Sequence, residues 1–223
     1  MKAEILSDLW QVGGAEFSAP EDAAVYLTCF GESAALIDAG SGKGHSRVVS
    51  NISRVLPENA RIKYLLLTHC HFDHTGGADA LRQEYGCKIA CHALDAVYLE
   101  RGDSEVTAAS WYGTRMEPLM IDMKLQEDPY TISVGNGRIT AHHWPGHSPG
   151  SVVYTTHLQG EKVLFGQDVH GPLDPSFLSD PEAYQSSLRK LLDLDADLLC
   201  EGHFGTFRGK KAVQEFIRSF LSE

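Results

Sequence analysis

Three histidines and one aspartate crowd into the six positions from His69 to His74, in Thr68-His69-Cys70-His71-Phe72-Asp73-His74-Thr75-Gly76-Gly77. Imidazole nitrogens and carboxylate oxygens are the donors that zinc, iron and manganese accept. The apolar run Tyr64-Leu65-Leu66-Leu67 comes immediately before. An apolar strand ending in such a cluster sets the donors on a loop at the edge of a rigid sheet. Three later positions share this setting. They are His147 in Trp144-Pro145-Gly146-His147-Ser148-Pro149-Gly150, Asp168 in Phe165-Gly166-Gln167-Asp168, and His203 in Glu201-Gly202-His203-Phe204-Gly205. A glycine close to each donor allows a tight turn. Seven donors exceed the four that one tetrahedral ion takes. With an aspartate placed to bridge, they suggest two divalent ions at about 3.5–4 Å, able to activate a water and polarise a substrate oxygen.

The elements that must position these donors follow from periodicity. Val25–Phe30 and Ala34–Asp38 read as paired strands turning at Gly31-Glu32, Ile62–Thr68 as a buried strand and Lys88–His92 as another. Helical spacing covers Ser46–Leu56, closed by Pro57, then Asp79–Tyr85 before Gly86, and Ala93–Glu100 before Gly102. Short strands are predicted near Tyr130–Val134, Arg138–Trp144, Ser151–Thr156, Lys162–Phe165 and Asp197–Cys200, with helices over Pro181–Leu194 and Gly209–Leu221. Two sheets packed face to face and covered by helices would bury all of these faces. The chain is expected to form one domain over residues 1–223, with an irregular lid or pocket segment near 103–130.

Composition excludes several classes. The 223 residues are 43% hydrophobic, enough for a full core, and the formal net charge is −11 without a basic block, which argues against a nucleic-acid partner. Acidic residues near the N-terminus speak against a secretory leader, and no apolar run is long enough to span a membrane. Cys29, Cys70, Cys87, Cys91 and Cys200 are odd in number and form no CxxC pair, so a reduced, cytoplasmic setting is expected. Cys87 and Cys91 read as small core residues, and Cys70 should point away from its neighbouring donors.

His69, His71, Asp73 and His74 match the HxHxDH signature of the metallo-β-lactamase superfamily, and His147, Asp168 and His203 fall in the order and surroundings that family uses. The resemblance runs from about Leu27 to the last helix. It implies an α/β (α+β) four-layer αββα sandwich with the site at one edge. It implies that His69, His71 and His147 hold one metal ion, that Asp73, His74 and His203 hold the second, and that Asp168 bridges them. Asp38, in Leu36-Ile37-Asp38-Ala39-Gly40, matches the aspartate that orients a ligand histidine.

Within the superfamily the chain departs from the commonest β-lactamases, which place a cysteine near the Asp168 position and lack a counterpart of His74. It looks like the glyoxalase II group. That resemblance implies a dinuclear hydrolase that uses a metal-bound hydroxide on a small-molecule acyl substrate (thioester, lactone or related ester), with Asp73 passing a proton to the leaving group. Two ions are implied, zinc first, with iron or manganese as alternatives. Only twenty residues follow His203 (223 − 203), so the helical glutathione-binding domain of glyoxalase II is not expected here. The alternative is a non-heme iron oxidoreductase of the persulfide dioxygenase type on the same fold.

Trp111, Tyr112 and the nearby methionines are candidates for a pocket wall, a lid or a homodimer contact, and His170 for a substrate contact. His142 and His143 precede a donor loop, where alternation turns one of them inward. His45, His92 and His157 read as surface or strand-end residues.

Overall fold

The computed structural model describes residues 3–166 and 168–222. Chain order builds one mixed sheet and then a second. The first holds β1 (Ala3–Leu6), β2 (Leu9–Gly13), β3 (Val25–Phe30), β4 (Ser33–Ile37), β5 (Arg61–Leu66), β6 (Lys88–His92) and β7 (Met123–Leu125), in that spatial order. Pairing is antiparallel from β1 to β4 and parallel from β4 to β7. Helices supply the crossovers that parallel pairs need: α1 (His45–Ser53), the short α2 (Phe72–Thr75), α3 (Ala78–Tyr85) and α4 (Ala93–Arg101). Gly86 and Gly102 end α3 and α4 in the left-handed conformation expected of a glycine stop.

The second sheet runs β8 (Tyr130–Val134), β9 (Gly137–His143), β10 (Val152–Leu158), β11 (Glu161–Phe165), β12 (Leu198–Cys200) and β13 (Thr206–Arg208), antiparallel throughout except for the parallel pair β11–β12. Between β11 and β12 comes α5 (Pro181–Asp193), whose N-cap Asp180 accepts from the N–H groups of Glu182 and Ala183. The last helix is α6 (Lys210–Arg218).

Strand alternation gives each sheet two apolar faces, and three cores result. The inner faces share Tyr26, Ile37, Leu66, Ile132, Tyr154 and Phe165. The outer face of the first sheet packs against α1, α3, α4 and the 106–121 segment through residues such as Ile52, Leu81, Leu99 and Leu119. The outer face of the second sheet packs against α5 and α6 through Val153, Leu188, Leu199 and Ile217. The layers are helix, sheet, sheet, helix, as expected from sequence.

Two expectations need correction. The 103–130 segment is more ordered than its composition suggests: Ala109–Tyr112 forms a 3₁₀ turn, and Met123–Leu125 becomes the seventh strand of the first sheet. Its methionines do not act together either. Met116 is buried in the outer core, Met123 packs on the inner core and Met120 is exposed. His92 stands at a strand end but is buried, stacked on His143 at 3.8 Å between ring centroids, with Nδ1 accepting from the Leu94 N–H. The five cysteines are free and buried.

Candidate metal centre

Every predicted donor sits just beyond a strand end on one edge of the sandwich. Thr68 to His74 follows β5, His147 follows β9, Asp168 follows β11 and His203 follows β12. Because β4–β5 and β11–β12 are parallel pairs, their C-terminal ends open in the same direction. Backbone bonds then close the two sheets together beside the loops. Val152 N–H donates to Thr68 O (2.8 Å) and Ala24 N–H to Gly202 O (2.8 Å), while Ala39 N–H to His74 O (2.7 Å) and Ala23 N–H to Asp73 O (3.1 Å) fix the donor loop to loops of its own sheet. Buried tyrosines add two more ties, from Tyr154 to Leu67 O (2.9 Å) and from Tyr26 to Glu201 O (2.7 Å).

The donors converge in two adjoining groups, His69, His71, His147 and Asp168 in one and Asp73, His74 and His203 in the other, with donor atoms inside each group within 4.8 Å of one another. Asp168 reaches both. Its Oδ2 lies 3.5 Å from His147 Nε2, 3.4 Å from His203 Nε2 and 4.0 Å from His69 Nε2, and its Oδ1 lies 3.0 Å from His74 Nε2. His71 Nδ1 is 3.0 Å from His147 Nε2, and Asp73 Oδ2 is 3.1 Å from His203 Nε2.

The outer nitrogens explain which edge of each ring faces inward. His74 Nδ1 donates to Asp38 Oδ2 (2.8 Å), His147 Nδ1 donates to the Pro172 carbonyl (2.9 Å), and His69 Nδ1 donates to Thr68 Oγ1 (3.0 Å). Thr68 in turn donates its hydroxyl and its backbone N–H to Asp38, each at 2.8 Å. With Nδ1 protonated, Nε2 of each ring presents a lone pair to the centre. Asp38 thus holds two of the rings, one directly and one through Thr68. Replacing it with alanine is expected to lower metal affinity about 10- to 100-fold, measured by competition with a chromophoric chelator. Unchanged affinity would remove Asp38 from this role.

Buried polar atoms normally find partners. Among the described residues five side-chain atoms do not, and three of those lie in this cluster: His69 Nε2, His71 Nε2 and Asp168 Oδ1. The close approach of His74 Nε2 to Asp168 Oδ1 lacks hydrogen-bond geometry. Unpartnered donor atoms of the right chemistry, crowded together and buried, fit a cation.

Electrostatics point the same way. Burial holds His69 and His71 well below the usual imidazole range, so both are neutral, as ligands must be. Burial opposes protonation of His74 and His203 too, yet the carboxylates outweigh it: Asp168, Asp38 and Asp73 hold His74 well above its ordinary value, and Asp168 with Asp73 brings His203 to about 10. Asp168 is itself held well below the carboxylate range, burial notwithstanding, by His74 and His203. The carboxylates thus demand positive charge at this spot, which protons on His74 and His203 or metal ions can supply.

Three acids that sequence reasoning missed brace the loops. Asp95, on α4, accepts from Cys70 N–H (2.9 Å), Ser148 Oγ (2.6 Å) and Gly150 N–H (2.6 Å), strapping the loop of His69 and His71 to that of His147. Asp95→Ala orphans two buried N–H groups and is expected to cost about 2–4 kcal/mol in urea unfolding. A loss below about 0.5 kcal/mol would make the strap dispensable. Glu201 accepts from His203 N–H (2.7 Å), Phe204 N–H (2.8 Å) and His170 Nδ1 (2.9 Å). Asp22 accepts from Ser41 N–H (2.9 Å), Ser41 Oγ and Ser18 Oγ. Cys70 stays out of the cluster, its sulfur 4.0 Å from the Val106 carbonyl. His142 and His143 also lie elsewhere, His142 on Thr155 Oγ1 (3.0 Å) and His143 on the Pro149 carbonyl (2.9 Å).

The cluster forms the floor of a cavity of about 260 Å³, and Trp111, Tyr112 and His170 all line it, with Ala108, Pro172 and Phe177. Phe177 was not foreseen. Its ring stands 4.5 Å from that of His71 and 4.6 Å from that of Trp111. A second hollow, of about 330 Å³, touches only His203 of the seven donors.

Known proteins resemble the chain in both sequence and shape. The acyl-coenzyme A thioesterase MBLAC2 of Gallus gallus is 30% identical over 190 residues, 75% of this chain and 66% of that protein, so the chain spans somewhat less than two thirds of that relative's length. The hydroxyacylglutathione hydrolase GloC of Haemophilus influenzae is 28% identical over 84% of this chain and 89% of its own. The MIM-2 metallo-β-lactamase superposes with a TM-score of 0.78 over 97% of this chain and 85% of its own, at 22% identity, a likeness of fold. Among the described residues no helix is long and apolar enough to cross a membrane. The Metallo-beta-lactamase superfamily model matches residues 19–203, which span all seven donors, and the chain belongs to that superfamily.

Proposed function

We propose that the chain is a dinuclear, divalent-metal-dependent hydrolase of acyl bonds, acting on a thioester, lactone or related ester. One observation carries the reading: two adjoining groups of buried donors share Asp168 at the floor of an open cavity. His69, His71 and His147 would hold one ion, Asp73, His74 and His203 the other, and Asp168 both. The donor set suits zinc first, with iron or manganese as alternatives. Bound there, divalent ions supply a nucleophilic water near neutral pH and an electrophile for the acyl oxygen.

The chain's own groups do the rest. Asp38, Thr68 and the Pro172 carbonyl hold the rings in one tautomer. Asp73 lines the cavity and can take the proton that the attacking water gives up, then return it to the departing thiolate or alkoxide. Burial and the neighbouring Asp73 carboxylate hold the Tyr112 phenol above its ordinary value, so it remains a hydrogen-bond donor at the cavity wall. The thioester chemistry in the names of the MBLAC2 and GloC relatives supports an acyl substrate.

Metal analysis of the purified protein, with a hydrolysis panel of thioesters, lactones and phosphoesters, tests the proposal. Two ions per chain are expected, with turnover of an acyl substrate that a chelator stops and added zinc restores. A single iron per chain with oxygen uptake on glutathione persulfide would replace this reading with oxygen chemistry. Two bound ions and no acyl turnover would end it.

A further inference from the structure

The walls of the cavity differ sharply from its floor. Beside the His and Asp cluster the cavity is lined by Trp111, Tyr112, Phe177 and His170. Phe177 and Trp111 continue outward from His71 as a ladder of rings, and Trp111 is 57% exposed at its outer end. Phe204, which lines the adjoining hollow, packs on His170 with ring centroids 4.9 Å apart and is 59% exposed. Large aromatic side chains left open to water around a cavity mark a contact surface for a ligand.

Among the described residues no lysine or arginine lines this cavity. The adjoining hollow, which an extended molecule would enter past His203, is bordered by Glu16 and Asp22 and equally lacks a lysine or arginine among the described residues. The whole chain carries a formal net charge of −11. A carboxylate or phosphate at a distance from the reacting carbonyl would therefore meet aromatic rings and acids where recognition needs a fixed cation. The cavity of about 260 Å³ suits a small acyl group.

We infer that the substrate is an uncharged ester, thioester or lactone whose carbonyl is carried on a small apolar or aromatic group, packed on the Phe177–Trp111 ladder. Thioesters of coenzyme A or glutathione and β-lactam carboxylates, which carry anionic handles, are poor substrates. This rests on the hydrolase reading above and narrows it.

The test compares thioesters that share one acyl group, hexanoyl or benzoyl, and differ only in the thiol: neutral N-acetylcysteamine, coenzyme A and glutathione. For the zinc-loaded protein, kcat/KM for the neutral thioester is expected to exceed that for either anionic one by at least about tenfold. Trp111→Ala should raise KM for the neutral thioester about fivefold while leaving kcat unchanged, the mark of a contact made equally in ground and transition states. Trp111→Lys should shrink the preference against coenzyme A at least about threefold at low salt. Binding of the matching non-hydrolysable thioethers, followed by isothermal titration, should rank in the same order. Equal or better turnover of the coenzyme A or glutathione thioester would overturn this inference and leave the hydrolase reading standing. Turnover of none of the three, nor of any other acyl compound, would overturn both.

Discussion

Asp168→Ala is expected to abolish acyl turnover, by at least about 10³-fold in kcat/KM, and to reduce bound metal from two ions per chain to one or none. The size follows from position. Among the described residues Asp168 is the one carboxylate whose oxygens approach imidazoles of both groups, at 3.0 Å to His74, 3.4 Å to His203, 3.5 Å to His147 and 4.0 Å to His69. It is also the charge that most strongly opposes burial in setting both His74 and His203. On the dinuclear reading proposed above, its removal would take a ligand from each ion at once and leave Asp73 as the carboxylate of the second group. Asp168→Asn separates charge from shape, because the amide fills the same space without the charge and should lose nearly as much. Circular dichroism confirms the fold of both variants, and plasma emission counts the metal. Activity within tenfold of the parent in either variant would show that Asp168 is not shared between ions.

The second large effect is expected at a residue with no side chain. A Cβ placed on Gly202 would stand 2.4 Å from Asp168 Oδ1 and 3.0 Å from His74 Cε1. Both neighbours are buried and pinned, so neither can swing away as an exposed side chain would. Gly202→Ala must therefore move the Asp168 carboxylate, the His203 loop, or both. A displacement of about 1 Å at reacting groups can cost about 100-fold in rate, and a loss of at least that size is expected here. Weaker binding of the second ion should accompany it, because two donors of that group adjoin the new methyl. Stability should fall by about 1–3 kcal/mol, the usual cost of overpacking. Isothermal titration of zinc into the apo-protein resolves the two affinities. Equal affinity at both sites with parental turnover would show that the loop yields without cost.

These expectations lean on residues of very different legibility. The donors of His69–His74 could be read because their spacing is local and their neighbours are small. His147, Asp168 and His203 could be read because each follows a short apolar run and stands near glycine. The bracing acids could not. Asp95 meets Cys70, Ser148 and Gly150 across 25 to 55 residues of chain. In sequence it is one more aspartate in the first turn of a helix. Phe177 lies in a 3₁₀ turn with no periodic signal, and its contact with His71 exists only after the second sheet has folded onto the first. The strands that escaped notice, β1, β2, β7 and β13, are short, and β1, β7 and β13 lie at sheet edges, where pairing partners rather than local pattern decide the conformation.

What the amino-acid order determined on its own is the inventory: strands and helices enough for four layers, and seven nitrogen and oxygen donors at strand ends. Periodicity and turn residues are local properties, so they survive without the fold. What only the tertiary structure decided is direction. Parallel pairing of β4 with β5 and of β11 with β12 turns their loops to one edge. Hydrogen bonds to Asp38, Thr68 and Pro172 then choose which nitrogen of each ring looks inward. The absence of a basic wall among the described residues is likewise a tertiary fact. The chain has nineteen lysines and arginines, and folding directs those among the described residues elsewhere than the cavity over the donors.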